Sequence, residues 1–160
     1  MRHASFSPVT DANTRILVLG SLPGAASLAA GRYYAHPRNQ FWRLLGDVIG
    51  TALVSLPYDE RLQVLRAHGV GLWDVIADAE REGSLDAAIR NHKASDLARL
   101  VDGLPELRTI GFNGAAAARI GIAALGGRAN RYRCITLPSS SPAHAIPYEA
   151  KLTRWRELRA

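Results

Sequence analysis

Four short runs rich in apolar residues recur along the chain: RILVLGS (Arg15 to Ser21), VGLWDVI (Val70 to Ile76), RTIGF (Arg108 to Phe112) and RCITLPS (Arg133 to Ser139). Their apolar positions are contiguous rather than alternating, which is the pattern of strands buried on both faces. Between and after them the apolar residues fall at helical spacing. QFWRLLGDVIG (Gln40 to Gly50) stops at a glycine, and DERLQVLRAH (Asp59 to His68) precedes the second strand. SDLARLVDG (Ser95 to Gly103) has Ser95 and Asp96 available as caps, and YEAKLTRWRELR (Tyr148 to Arg159) closes the chain. NGAAAARIGIAAL (Asn113 to Leu125) predicts a helix of small side chains that can pack closely on a sheet. Strands alternating with helices predict an α/β fold with a short, mostly parallel four-stranded sheet and helices on both faces. Neither a repeat nor a dividing linker interrupts residues 1–160, so one domain is expected.

The segment LPGAASLAAGRYYAHPRN (Leu22 to Asn39) breaks the pattern, with Pro23, Gly24, Gly31 and Pro37 predicting a long irregular loop holding at most a helical turn. In open parallel sheets, ligands bind beyond the carboxyl ends of the strands. The segments that follow Gly20, Phe112 and Leu137 all leave strands at that end.

Composition narrows the field. Of 160 residues, 48% are hydrophobic and 21% charged, an ordinary globular balance. Twenty Lys and Arg against 14 acids give a net charge of +6, spread along the chain, which suits a polyanionic partner such as nucleic acid. The single Cys134 excludes a disulfide framework, a four-Cys cluster and a zinc knuckle, and fits a reducing cytoplasm. The opening MRHASFSPVTDANTR has no apolar signal core, and no run is long enough to span a bilayer.

Candidate chemistry lies in the loops. GSLPGAAS (Gly20 to Ser27) lacks the lysine and spacing of a P-loop, so it reads as a tight turn with exposed backbone groups. Ser139, Ser140 and Ser141, with Pro142, Ala143 and His144, form a second loop whose hydroxyls and amides can cradle phosphate. A serine hydrolase is disfavoured because the G-x-S-x-G elbow is missing. The five histidines show no metal-ligand spacing, so no metal is expected.

In order, GSLPGAASL, YYAHPRNQFW, LWDVI with REGSLDAAI, IGFNGAAA and LPSSSPAHA resemble the uracil-DNA glycosylase superfamily, most closely its hypoxanthine-DNA (deoxyinosine) glycosylase branch. The resemblance runs from about Phe6 to the last helix. It implies a three-layer α/β/α domain that acts on deaminated bases in DNA without metal or cofactor, as a monomer. In related mismatch-specific enzymes the first loop reads G-x-N-P-G and its asparagine positions water; here Leu22 stands in that place. The resemblance moves that task to Asn39, whose amide can accept from water and donate to the base. The alternative for Asn39 is a cap on the helix that follows.

The resemblance further implies that Tyr34 stacks on the extruded base, with Tyr33 a competitor, and that Ser21, Leu22, Pro23 and Gly24 wrap the nucleotide. Asp74 and Asn113 end two strands and are candidates to read the base, Asn113 also being a candidate helix cap. His144 replaces the polar residue that relatives carry where this chain has Leu137, while His36 is a candidate hydrogen-bonding group near the pocket. Ser139, Ser140, Ser141, Pro142 and Ala143 are expected against the flanking DNA. Arg32 and Arg38, with Arg131 and Arg133, are candidate phosphate contacts. Phe41 and Trp42 are expected in the core. Lyase chemistry needs an amine, and the two lysines, Lys93 and Lys151, lie in no matching motif, so the expectation is a monofunctional glycosylase excising hypoxanthine. A uracil or mismatch enzyme, or an inactive DNA-binding module, remains the alternative.

Overall fold

The computed structural model describes residues 2–159. Strands β2 (Ile16–Gly20), β3 (Val70–Asp74), β6 (Thr109–Asn113) and β7 (Arg133–Leu137) form a fully parallel sheet in the order β3-β2-β6-β7. Each apolar run supplies a strand of this sheet; β2, β3 and β6 are covered on both faces, whereas the edge strand β7 leaves Arg133 and Thr136 exposed. Along β2, Ile16 and Val18 face one core while Leu17 and Leu19 face the other.

The first core is closed by α2 (Phe41–Ile49), α3 (Tyr58–Ala67) and α6 (Tyr148–Trp155), which contribute Phe41, Trp42, Leu65 and Trp155. The second is closed by α4 (Leu97–Asp102) and α5 (Ala115–Leu125). The result is the expected three-layer α/β/α arrangement. Gly121 explains the light composition of α5: a Cβ there would collide with the Phe112 ring, so the helix lies directly on β6. Asp96 caps α4, its carboxylate accepting the Arg99 N–H at 3.2 Å. Within the loop after β2, residues Ala25–Ala30 form α1, longer than the single helical turn expected there.

A second sheet departs from the sequence reading. The run Val70 to Ile76 is divided: β3 ends at Asp74, Val75 intervenes, and β4 (Ile76–Glu80) begins another sheet. There β4 lies between β1 (Arg2–Ala4) and β5 (Arg90–Ala94), antiparallel to both. Its consequence for the site is the β4–β5 connection, residues 81–89, which is carried up beside the loop that follows β2.

Register then assembles the strand ends. Gly20 pairs with Asp74, Leu19 with Phe112 and Asn113 with Leu137, so Gly20, Asp74, Asn113 and Leu137 stand in a row along the carboxyl edge of the parallel sheet. Among the described residues no helix is long and apolar enough to cross a membrane.

Candidate active site

A cavity of about 480 Å³ opens over that row. Its size falls in the range of small-molecule sites. Its walls are the loop after β2 (Ser21, Leu22, Pro23 and Gly24), Tyr34 and Asn39, the serine loop through His144, and Asp74 and Asn113 at the floor. Of the residues singled out from the sequence for the site, the four candidate phosphate contacts, Arg32, Arg38, Arg131 and Arg133, lie outside the lining.

The floor requires a glycine. A Cβ on Gly20 would lie 2.7 Å from Asp74 Oδ1 and 2.7 Å from Tyr34 Oη, so only a hydrogen lets strand, carboxyl and phenol meet. Asp74 is 3% exposed, and Oδ2 accepts the Ser5 hydroxyl at 2.7 Å. Burial pushes its carboxyl up to about 7, opposed by the Ser5 hydrogen bond and Arg81 and reinforced by Asp86. It caps no helix.

Tyr34 is held in a left-handed backbone conformation, φ 53°. One face of its ring stacks on Phe41, centroids 3.7 Å apart and planes 13° from parallel, so an incoming base can use only the other face. Burial and the neighbouring Asp74 charge raise its pKa, keeping the hydroxyl a donor. Tyr33, by contrast, is a core residue: its ring meets Phe6 edge-on and its hydroxyl donates to the Ser7 carbonyl. That removes it as a stacking platform.

Asn39 stands one residue before Gln40, the cap position of α2. Its Oδ1 accepts the Phe41 N–H at 3.0 Å, securing the start of α2, while the residue also lines the cavity. This contact fixes which end of the amide is oxygen, and leaves Nδ2 without a hydrogen-bond partner among the described residues. His36 has a local partner, its Nδ1 accepting the Arg38 N–H at 3.1 Å.

Two expectations are corrected at the serine loop. Asn113 does not cap α5, whose cap position is Gly114; its Oδ1 accepts the Ser140 N–H and its Nδ2 donates to Ser140 Oγ, both at 2.9 Å. The amide so engaged clamps the loop, and its Nδ2 also reaches the Tyr34 hydroxyl at 3.4 Å on the cavity side. Ser140 is 1% exposed, and its carbonyl also accepts the Gln40 N–H at 3.0 Å, tying the Asn39 loop to the serine loop. With its N–H, C=O and hydroxyl all engaged, Ser140 leaves the set of phosphate contacts. Ser139 and Ser141 remain partly exposed, their hydroxyls accepting the N–H groups of Ser141 and Ala143. His144 is exposed at the rim.

Leu22 and Leu137 are buried in the two opposite cores. Arg131 and Arg133 are withdrawn as phosphate contacts. They lie at the amino end of β7, away from the cavity, Arg131 pairing with Asp102 and Arg133 donating to the Glu157 carbonyl.

Sequence reasoning assigned no role to the 81–89 segment, although REGSLDAAI carried part of the resemblance. Ser84, Leu85 and Asp86 line the cavity. Their partners belong to a strand-end loop some sixty residues earlier, for example Ser84 Oγ accepting the Ala25 N–H, |i−j| = 59. No local spacing signals such a contact.

The frame is thus an open parallel sheet with a cleft at its carboxyl edge, lined by hydroxyls, amides and the Tyr34 ring, the place where such sheets bind ligands. Residues 7–159 match the model of the uracil DNA glycosylase superfamily, and the chain belongs to that family. It is 40% identical to the hypoxanthine DNA glycosylase of Methanosarcina barkeri over 98% of each chain. To the hypoxanthine DNA glycosylase of Methanosarcina acetivorans it is 41% identical, over 96% of this chain and 95% of the relative. The solution NMR structure of a Methanosarcina acetivorans protein, provisionally designated a uracil DNA glycosylase, superposes with a TM-score of 0.87 at 37% identity, covering all of both chains.

Proposed function

We propose that this chain is a monofunctional DNA glycosylase of base excision repair that hydrolyses the N-glycosidic bond of hypoxanthine in DNA, working as a monomer in the cytoplasm. The observation that carries this reading is the convergence of Asn39, Tyr34 and the serine loop on one cavity over Gly20, joined by the Gln40–Ser140 hydrogen bond.

Cleavage of an N-glycosidic bond builds oxocarbenium character on the sugar and negative charge on the departing base. The site therefore has to hold a water at the sugar carbon, aim donors at the base and exclude bulk solvent. Asn39 holds the water: with Oδ1 anchored by Phe41, its amide is oriented before substrate arrives. The free face of Tyr34 replaces the stacking that an extruded base loses, and its protonated hydroxyl adds a donor deep in the cavity. Ser139 and Ser141 bind the flanking phosphates, and Pro142 with Ala143 fills the gap left in the duplex. Neither Lys93 nor Lys151 lines the cavity; Lys151 is buried with its ammonium donating to the Ser141 carbonyl. That supports simple hydrolysis to an abasic site rather than lyase chemistry.

The test is single-turnover cleavage of oligonucleotides carrying deoxyinosine, deoxyuridine or deoxyxanthosine, comparing wild type with Asn39→Ala. Deoxyinosine should give abasic product fastest, and the variant should be about 100-fold slower or worse. Losing the contact to Phe41 N–H should cost only about 1 kcal/mol of stability, so melting separates that effect from catalysis. Lesion binding without product from any base would leave a DNA-binding module instead, and faster release of uracil would move the assignment to a uracil enzyme.

A further inference from the structure

The mechanism leaves the 81–89 segment unused, yet three of its side chains stitch it to the loop after β2. Arg81 is 3% exposed and donates to the carbonyls of Leu22, Pro23 and Gly83. It forms no carboxylate salt bridge among the described residues. A buried guanidinium is costly unless its donors are met, so these carbonyls hold the two loops in one geometry. Ser84 Oγ accepts the Ala25 N–H at 2.9 Å, and Asp86 Oδ1 accepts the Ser21 hydroxyl at 2.5 Å.

Asp86, itself exposed, is thereby tied to the cavity wall at one oxygen. Its Oδ2 has no hydrogen-bond partner among the described residues, although the residue lines the cavity. The other carboxyl there, Asp74, sits lower, on the cavity floor beside Gly20, with one oxygen taken by the Ser5 hydroxyl. An ionised carboxylate offers acceptors only. Hypoxanthine and uracil carry a ring imino N–H where adenine and cytosine carry a lone pair. A fixed acceptor at that edge attracts the deaminated base and repels its parent. Guanine has the same N1–H as hypoxanthine, so this contact separates hypoxanthine from adenine and uracil from cytosine and leaves guanine to the shape of the walls.

We infer that Asp86 is a specificity-determining residue whose free carboxylate oxygen accepts the ring imino N–H of the extruded base, with Arg81 and Ser84 as positioning residues for its loop. The inference rests on the glycosylase reading above. Its experiment compares single-turnover excision of deoxyinosine and N1-methyldeoxyinosine, which lacks the imino proton, by wild type, Asp86→Ala and Asp86→Asn. Wild type should prefer deoxyinosine by about 100-fold or more, because a site built around an N–H rejects an analogue without it. Asp86→Ala should slow deoxyinosine about 10- to 100-fold and bring the two substrates within about threefold of each other; Asp86→Asn, of the same shape but uncharged, should fall between. Wild-type excision of deoxyinosine by Asp86→Ala would overturn the inference. So would equal losses on both substrates with the preference unchanged, the signature of a purely structural role. An inactive wild type would instead overturn the glycosylase reading itself, and shows before any variant is compared.

Discussion

Asp74 illustrates how one residue links the floor of the site to the stability of the fold. Its carboxyl titrates near 7 in the folded protein because burial disfavours the charge. An unfolded aspartate titrates near 4, so between those values the folded state binds the extra proton. The resulting penalty is absent below about pH 4, grows as pH rises, and is complete above about pH 7. Asp74→Asn removes the titration, and its stabilising effect should be about 2 to 3 kcal/mol larger at pH 8 than at pH 5. Urea unfolding of both proteins at the two pH values measures this difference, and a pH-independent effect would contradict the titration assigned to Asp74. At this scale the sequence was readable where chemistry is local: Tyr34, Asn39 and Asp74 were marked as odd residues at strand ends or in a loop. What it withheld was orientation. Asn113 offers the same amide whether it caps a helix, reads a base or clamps a loop, and only the fold brings Ser140 within 2.9 Å of it.

Among the elements, legibility followed burial. Three of the parallel strands were evident because both faces are covered and the fourth, β7, because Ile135 and Leu137 are buried, and helices α2 to α6 because each presents an apolar side to a core. The antiparallel sheet escaped for the opposite reason. Every residue of β5, RNHKA, is exposed, β1 is three residues long, and a single Val75 joins β3 to β4 inside what reads as one apolar run. No periodicity survives in such strands, yet their connection supplies one wall of the cavity. The serine loop offers the corresponding prediction. Asn113→Ala leaves the Ser140 N–H buried without its acceptor and should destabilise the protein by about 2 kcal/mol. Amide exchange locates the change: protection should fall at Ser140 and its neighbours. Loss confined to the first turn of α5 would show a capping asparagine instead.

The whole molecule carries a net charge of +6, but only charges on the cavity side can meet DNA that enters the site. The fold sorts them, since Arg38 is exposed on the loop before α2, whereas Arg131 faces Asp102 at the opposite edge of the sheet. Each neutralised phosphate releases counterions, so the slope of log affinity against log salt counts contacts, at about 0.9 per contact on duplex DNA. Three contacts would weaken binding about 40-fold between about 50 and 200 mM salt. Arg38→Ala should lower the slope by about 1, while Arg131→Ala should leave it unchanged. Titrating a lesion-bearing duplex by fluorescence anisotropy at several salt concentrations gives all three slopes. If Arg131→Ala flattened the slope as much as Arg38→Ala, DNA would be contacting the amino edge of the sheet, and the cavity at the carboxyl edge would no longer account for the protein's basic charge.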